Sequence, residues 1–146
     1  MTIFRNRPDI ADLDRMNANT AVSNLGIQIT EIGDDYLRAT MPVDRRTVQP
    51  FGILHGGASV LLAETLGSQA SYFAIDPAKY RCVGLDINAN HIRAVTSGHV
   101  VGTARPMHLG RTTHVWEIRI ETEDGKLVCI SRITMAILAI DGLAGA

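Results

Sequence analysis

Apolar and polar residues alternate with a period of two over much of this chain, and two stretches depart from that rhythm. Near the start, Ile10, Leu13 and Met16 recur at helical spacing behind Pro8 and Asp9, a capping residue. They predict a short amphipathic helix that ends at Asn17, Asn19 and Thr20. A hairpin follows: GIQITEI, a turn at Gly33, Asp34 and Asp35, then YLRATMPV. Ile27, Ile29 and Ile32 in one arm and Leu37, Ala39 and Met41 in the other give it one apolar face. DRRTVQPFG is too polar and turn-rich for either regular element and reads as a loop, with Arg45 and Arg46 as solvated charges. IDPAKYR is a second loop. Three long strand patterns come after it: CVGLDINANHIRAV, SGHVVGTARPMHL and TTHVWEIRIET. Val83, Leu85 and Ile87 alternate in the first, and Trp116, Ile118 and Ile120 oppose Val115, Glu117, Arg119 and Glu121 in the third. A turn at Glu123, Asp124 and Gly125 leads to KLVCISRITMAIL, whose β-branched content favours strand. The Gly- and Ala-rich tail from Asp141 is expected to fray.

The second departure, residues 49–73, organises the rest: QPFGILHGGASVLLAETLGSQASYF. A polar turn passes through His55, Gly56 and Gly57 into a long run of helix formers and small residues. At about 100° per residue, Leu62, Leu66 and Phe73 fall on one side and Val60, Glu64, Gly67 and Ser71 on the other, with Ala58, Ala63 and Ala70 between. A helix apolar or small nearly all round is buried on more than one face. The expected fold is α+β, one long helix enclosed by an antiparallel sheet of about six strands, in a single domain over residues 1–146 with a lead-in over 1–24. The small-residue side of the helix is expected to be covered by a second copy of the chain.

Composition narrows the picture. An apolar share of 46%, a charged share of 20% and a net charge of −1 suit a globular protein without a nucleic-acid footprint. No apolar run approaches the length needed to span a bilayer, and the N-terminus does not read as a signal peptide. Cys82 and Cys129 stand alone in apolar surroundings and read as reduced core thiols of a cytoplasmic protein.

One residue is out of place. Glu64 is a carboxylate in the apolar middle of the long helix, and local inconsistencies of this kind mark functional or strained sites. QPFGILHGGASVLLAETLGS resembles the active-site segment of hotdog-fold acyl-CoA thioesterases that cleave aromatic acyl-CoA thioesters. It is especially similar to the bacterial group acting on 1,4-dihydroxy-2-naphthoyl-CoA in menaquinone synthesis, and to paralogues that clear mischarged aryl carrier protein during enterobactin synthesis. IGDDYLRATMPVDRRTVQPFG, VGLDINANHIR and the HLG near position 109 fit as well, so the resemblance covers roughly residues 25–139.

The chemistry agrees. Thioester hydrolysis needs a donor for the developing oxyanion and a base or nucleophile for the attack. A helix N-terminus supplies free N–H groups and a positive dipole end, and glycine admits the thioester close to the backbone. Gly56 N–H is the candidate donor, and Glu64 the candidate base or nucleophile. Eight residues separate them, roughly 12 Å along a helix at about 1.5 Å rise per residue. If both act on one carbonyl, Glu64 must come from another subunit, through antiparallel helices meeting across a two-fold axis. The resemblance implies the same homodimer, or a dimer of dimers.

The resemblance also implies the remaining roles. Gln49 would orient the nucleophile or water, though it also reads as a loop-capping amide. His55 would support the thioester carbonyl, and Ser68, one turn beyond Glu64, would position water or the leaving group. Gly84, His91, Ile92, Arg93 and Ala94, with His108, Leu109, Gly110, Arg111, Thr112 and Thr113, would line the acyl passage or grip coenzyme A. Arg93 and Arg111 are natural phosphate partners. No cofactor is implied. His91, His99, His108 and His114 are scattered, and no HExxH or CxxC spacing points to a metal. The competing readings are an aryl carrier-protein thioesterase, a hotdog hydratase (whose His–acid pair is missing here) and a non-catalytic acyl-CoA-binding module, which would not need Glu64.

Overall fold

The computed structural model describes residues 1–142. Helix α1 (Ile10–Asn17) starts at a capping box: Asp12 N–H donates to Asp9 at 2.7 Å, and Asp9 N–H donates back to the Asp12 carboxylate at 3.5 Å. Leu13 is fully buried, whereas Met16, expected on the same face, is 45% exposed. Asn17 turns inward instead, because Gln69 Nε2 donates to its side-chain oxygen at 2.6 Å. A second helix, α2 (Ala21–Asn24), was not expected; four residues are too few to show a helical period.

Strands β1 (Gln28–Ile32) and β2 (Leu37–Pro42) form the expected hairpin. A bulge between Ile29 and Glu31 lets Ile27, Ile29 and Ile32 all pack toward the core despite their uneven spacing. The remaining strands are β3 (Tyr80–His91), β4 (His99–Leu109), β5 (Thr113–Thr122) and β6 (Leu127–Ala139). All pairings are antiparallel, in the order β1-β2-β4-β5-β6-β3, so β3 pairs with β6 alone and forms an edge. Val83, Leu85 and Ile87 do not share a face as their alternation predicted. A bulge between Gly84 and Asp86 shifts the pleat, leaving Val83 46% and Leu85 64% exposed while Ile87 packs on the core.

Helix α3 (Gly56–Ala74) lies across the sheet against β2, β3, β4, β5 and β6. Leu62, Leu66 and Phe73 are buried as expected, the two leucines over Gly102 of β4, where a Cβ would come within 2.8 Å of Leu66. Gly67 and Ser71 correct the expectation for the other side. Both face the sheet: a Cβ on Gly67 would collide with Ile133, and Ser71 bonds to β5. Small residues here allow close helix–sheet approach. Val60 and Glu64 do lie on the outer side as expected, in a half-buried to exposed strip with Leu61, Ser68 and Tyr72.

The core beneath gathers Leu13, Leu37, Met41, Trp116, Ile118, Ile120, Ile133 and Cys129. Burial pushes the thiols of Cys129 and half-buried Cys82 upward, and both are free. The tail expected to fray from Asp141 begins in a 3-10 turn over Ile140–Gly142. Residues 143–146 of that tail lie outside the described residues.

Candidate active site

The N-terminal end of α3 is built by a tight turn. A bridge between Val48 and Leu54 closes it, Gln49 N–H donates to Ile53 C=O at 2.9 Å, and Gly52 N–H donates to Gln49 C=O at 2.9 Å. Gly52 has φ +83, a conformation glycine adopts at no steric cost. Gln49 Oε1 accepts the Phe51 N–H, so its Nε2 is the free end. The loop-capping and site readings of Gln49 thus use different atoms of one amide.

His55 caps the helix, its Nδ1 accepting the Gly57 N–H at 2.8 Å. A ring nitrogen that accepts carries no proton, so the imidazole is neutral and protonated at Nε2, a donor. Ala58 and Ser59 N–H groups both reach His55 C=O, at 3.0 and 3.2 Å. Of the four N–H groups in the first turn, Gly56 N–H is left with no acceptor among the described residues. The His91 ring stands against Gly56, its Nε2 2.8 Å from where a Cβ would lie. A side chain at position 56 would displace only the far end of the His91 ring, with no backbone in its way. Gln49, Gly56, His91, Ile92, Arg93 and Ala94 share a cavity of about 340 Å³ with Ile53, Leu54, Ser59 and Val128. Those last four were not anticipated; Ser59, three residues after Gly56 on the same helix, could have been.

Glu64 is elsewhere. Half-buried in mid-helix, it makes no ion pair or hydrogen bond among the described residues and does not line the Gly56 cavity. Its Oε1 rests over Gly84 of β3, where a Cβ would sit 2.8 Å away. Ser68 Oγ is 3.8 Å from the sulfur of Met135, which borders the same spot on Gly84. Gly84 is therefore the floor under the carboxylate.

The third group lies at the C-terminal end of α3. Leu109, Gly110 and Arg111 line a cavity of about 440 Å³ with Ala74, Ile75 and Ile137. The His108 ring packs against Gly110, whose N–H donates to Thr113 C=O at 2.9 Å, and Thr112 C=O accepts from Ile137 N–H at 2.9 Å. Arg93 and Arg111 form no ion pair among the described residues. One protomer thus spreads the expected site residues over three places along α3, and at the first of them His55 lines a separate cavity of about 240 Å³ with Arg46, Val48 and Leu61 rather than the Gly56 cavity. Sequence reasoning also missed a buried polar cluster of Ser71, His114 and Trp116. The spacing of His114 and Trp116, two apart on one strand, was the available signal.

Residues 51–129 match the thioesterase superfamily, and the chain belongs to that family, with its hotdog fold and thioester hydrolase activity. The 1,4-dihydroxy-2-naphthoyl-CoA hydrolase of Escherichia coli (strain K12) is 49% identical over 136 residues, covering 93% of this chain and 99% of its own length. The proofreading thioesterase EntH of Cronobacter turicensis is 48% identical over 136 residues, covering 93% and 98%. A crystal structure of a glutamine-to-alanine mutant of thioesterase PA1618 from Pseudomonas aeruginosa superposes with a TM-score of 0.93 at 52% identity, covering 95% of this chain and 100% of that one.

Proposed function

We propose that the chain hydrolyses an aromatic acyl-CoA thioester as a homodimer, each reaction centre combining Glu64 of one copy with Gly56 of the other. The observation that carries this is the separation of donor and carboxylate: they lie eight residues apart on one unbroken helix, and only the donor end opens on the Gly56 cavity. An antiparallel α3 across a two-fold axis would close that gap twice. Exposed apolar side chains support a covered surface there: Phe51 at 89% and Ile92 at 55% by the donor end, and Val83 and Leu85 on the β3 edge. A dimer of dimers would keep the same pairing.

In this reading the thioester oxygen accepts from Gly56 N–H and His55 Nε2–H, while Gln49 Nε2 orients the attacking group. Glu64 either takes the proton of an attacking water or attacks the carbonyl itself, forming an anhydride that water opens. Either route ends in free acid and coenzyme A thiol, the thiolate taking up the proton. Ser68 positions the water or leaving group beside Glu64, over Gly84. His91, Ile92 and Ala94 line the approach, Arg93 and Arg111 meet the coenzyme A phosphates, and His108, Leu109, Gly110, Thr112 and Thr113 complete the grip. The free thiols of Cys82 and Cys129 suit a cytoplasmic setting.

The identity to the naphthoyl-CoA hydrolase supports an aromatic acyl group; the near-equal identity to EntH supports a second reading, an aryl group on a carrier protein. A panel of aryl and alkyl thioesters on both carriers, ranked by kcat/KM, tests this. Aryl-CoA is expected first. An alkyl preference overturns the aromatic assignment, and a carrier-protein preference selects the second reading.

A further inference from the structure

The cavity at the C-terminal end of α3 has a polar floor that the thioesterase chemistry does not use. His114 is 5% exposed, lines the cavity, and has Nδ1 3.1 Å from Ser71 Oγ. Trp116 Nε1–H donates to the same hydroxyl at 2.7 Å. Indole N–H can only donate, so Ser71 Oγ is its acceptor, and among the described residues the only other partner of Ser71 Oγ is His114 Nδ1. Ser71 is fully buried and its hydroxyl proton has no other acceptor among the described residues, so it goes to Nδ1, which leaves His114 neutral with its proton on Nε2. Burial and nearby His108 both hold this imidazole below its ordinary pKa, in the same direction. Nε2–H has no hydrogen-bond partner among the described residues and is not sealed from solvent, and the ring lines the cavity. Around it the walls are apolar, with Ile3, Ile75 and Ile137, and the rim carries Arg5 and Arg111, neither in an ion pair among the described residues. Asp76, the one acid there, accepts from Ala78 N–H at 3.0 Å and faces Lys79 at 3.9 Å.

A donor without an acceptor in the cavity wall, apolar walls and two guanidinium groups outside any ion pair among the described residues specify a ligand with an apolar body and an anionic acceptor at one end. We propose that this cavity binds an apolar carboxylate, its oxygens taken by His114 Nε2–H and by Arg5 or Arg111. Arg111 is on the loop to which coenzyme A contacts are ascribed above; Arg5 and His114 have no part in that ascription. Trp116, the only tryptophan, is one hydrogen bond from the floor and reports occupancy.

Cyclohexanecarboxylate, which does not fluoresce, is the probe. Titrated into the wild-type protein and into Glu64→Gln, it should change Trp116 emission saturably at one site per chain. Cyclohexylmethanol should bind at least about tenfold more weakly, since it lacks the charge that the guanidinium groups recognise. Arg5→Ala, on an exposed side chain, and His114→Phe should each weaken the carboxylate by a similar factor. Should His114→Phe fail to fold, Arg5→Ala with calorimetric titration decides alone. No saturable binding by fluorescence or calorimetry, or equal affinity in wild type and Arg5→Ala, overturns the proposal.

Discussion

The two halves of the reaction centre differ in how they are held. At the start of α3 each expected group is fixed by the backbone: His55 by Gly57 N–H, Gln49 by Phe51 N–H, and Gly56 by the helix itself. Eight residues on, Glu64 has no hydrogen bond among the described residues and rests over Gly84. The donor half is preorganised in one protomer, which suits groups that must wait for charge to develop on an oxyanion. The carboxylate half is unfinished, a lone acceptor on a half-exposed helical strip, and its completion falls to a neighbour.

That contrast can be broken from either side. Glu64→Ala removes the acceptor and should lower kcat on the order of 10³-fold, the range for deleting a positioned base, with little change in Tm because the carboxylate makes no hydrogen bond or ion pair among the described residues. Near-normal turnover would take Glu64 out of the chemistry. His55→Ala strikes the donor half twice. Loss of Nε2–H should cost about 10²-fold in kcat, and loss of the cap about 1 kcal/mol in denaturant unfolding. Gly84→Ala leaves every reacting group in place but puts a methyl 2.8 Å from the resting position of Glu64 Oε1. A displaced carboxylate of this kind should lower kcat about tenfold at unchanged fold.

The smallest expected effect concerns stability. The buried His114 resists protonation more than the same residue in the unfolded chain. Below its ordinary value near pH 6.5 the unfolded chain therefore holds more protons, and stability declines as pH falls. The decline ends once pH passes the lowered native value. Urea unfolding at pH 7.5 and 5.5 should show the loss, and His114→Asn should shrink it.

Much of this architecture was legible in the chain. Six strands and the long helix follow from alternation and from turn residues such as Asp124 and Gly125. The orientation of α3 was not, because a helix buried nearly all round has no polar face to give it direction. Gly67 and Ser71 look like a surface left for a partner, yet their size serves contact with Ile133 and Trp116. The face of β3 was hidden for another reason: one extra residue at its bulge reverses the alternation, and nothing in VGLD announces it. Of the site, the HGG turn and Glu64 were readable as chemistry. The free state of Gly56 N–H and the tautomer of His55 needed hydrogen-bond partners that only the fold supplies.

The most direct test is complementation between copies. Gly56→Pro deletes the donor N–H at a first-turn position where proline suits a helix, and Glu64→Ala deletes the carboxylate. Each variant alone should be nearly inactive. Unfolded together and refolded as an equal mixture, they should recover about a quarter of wild-type activity, because half the dimers are hybrids and each hybrid rebuilds one of two sites. Activity no greater than the sum of the two variants, in mixtures verified to contain hybrids, would contradict a centre shared between subunits.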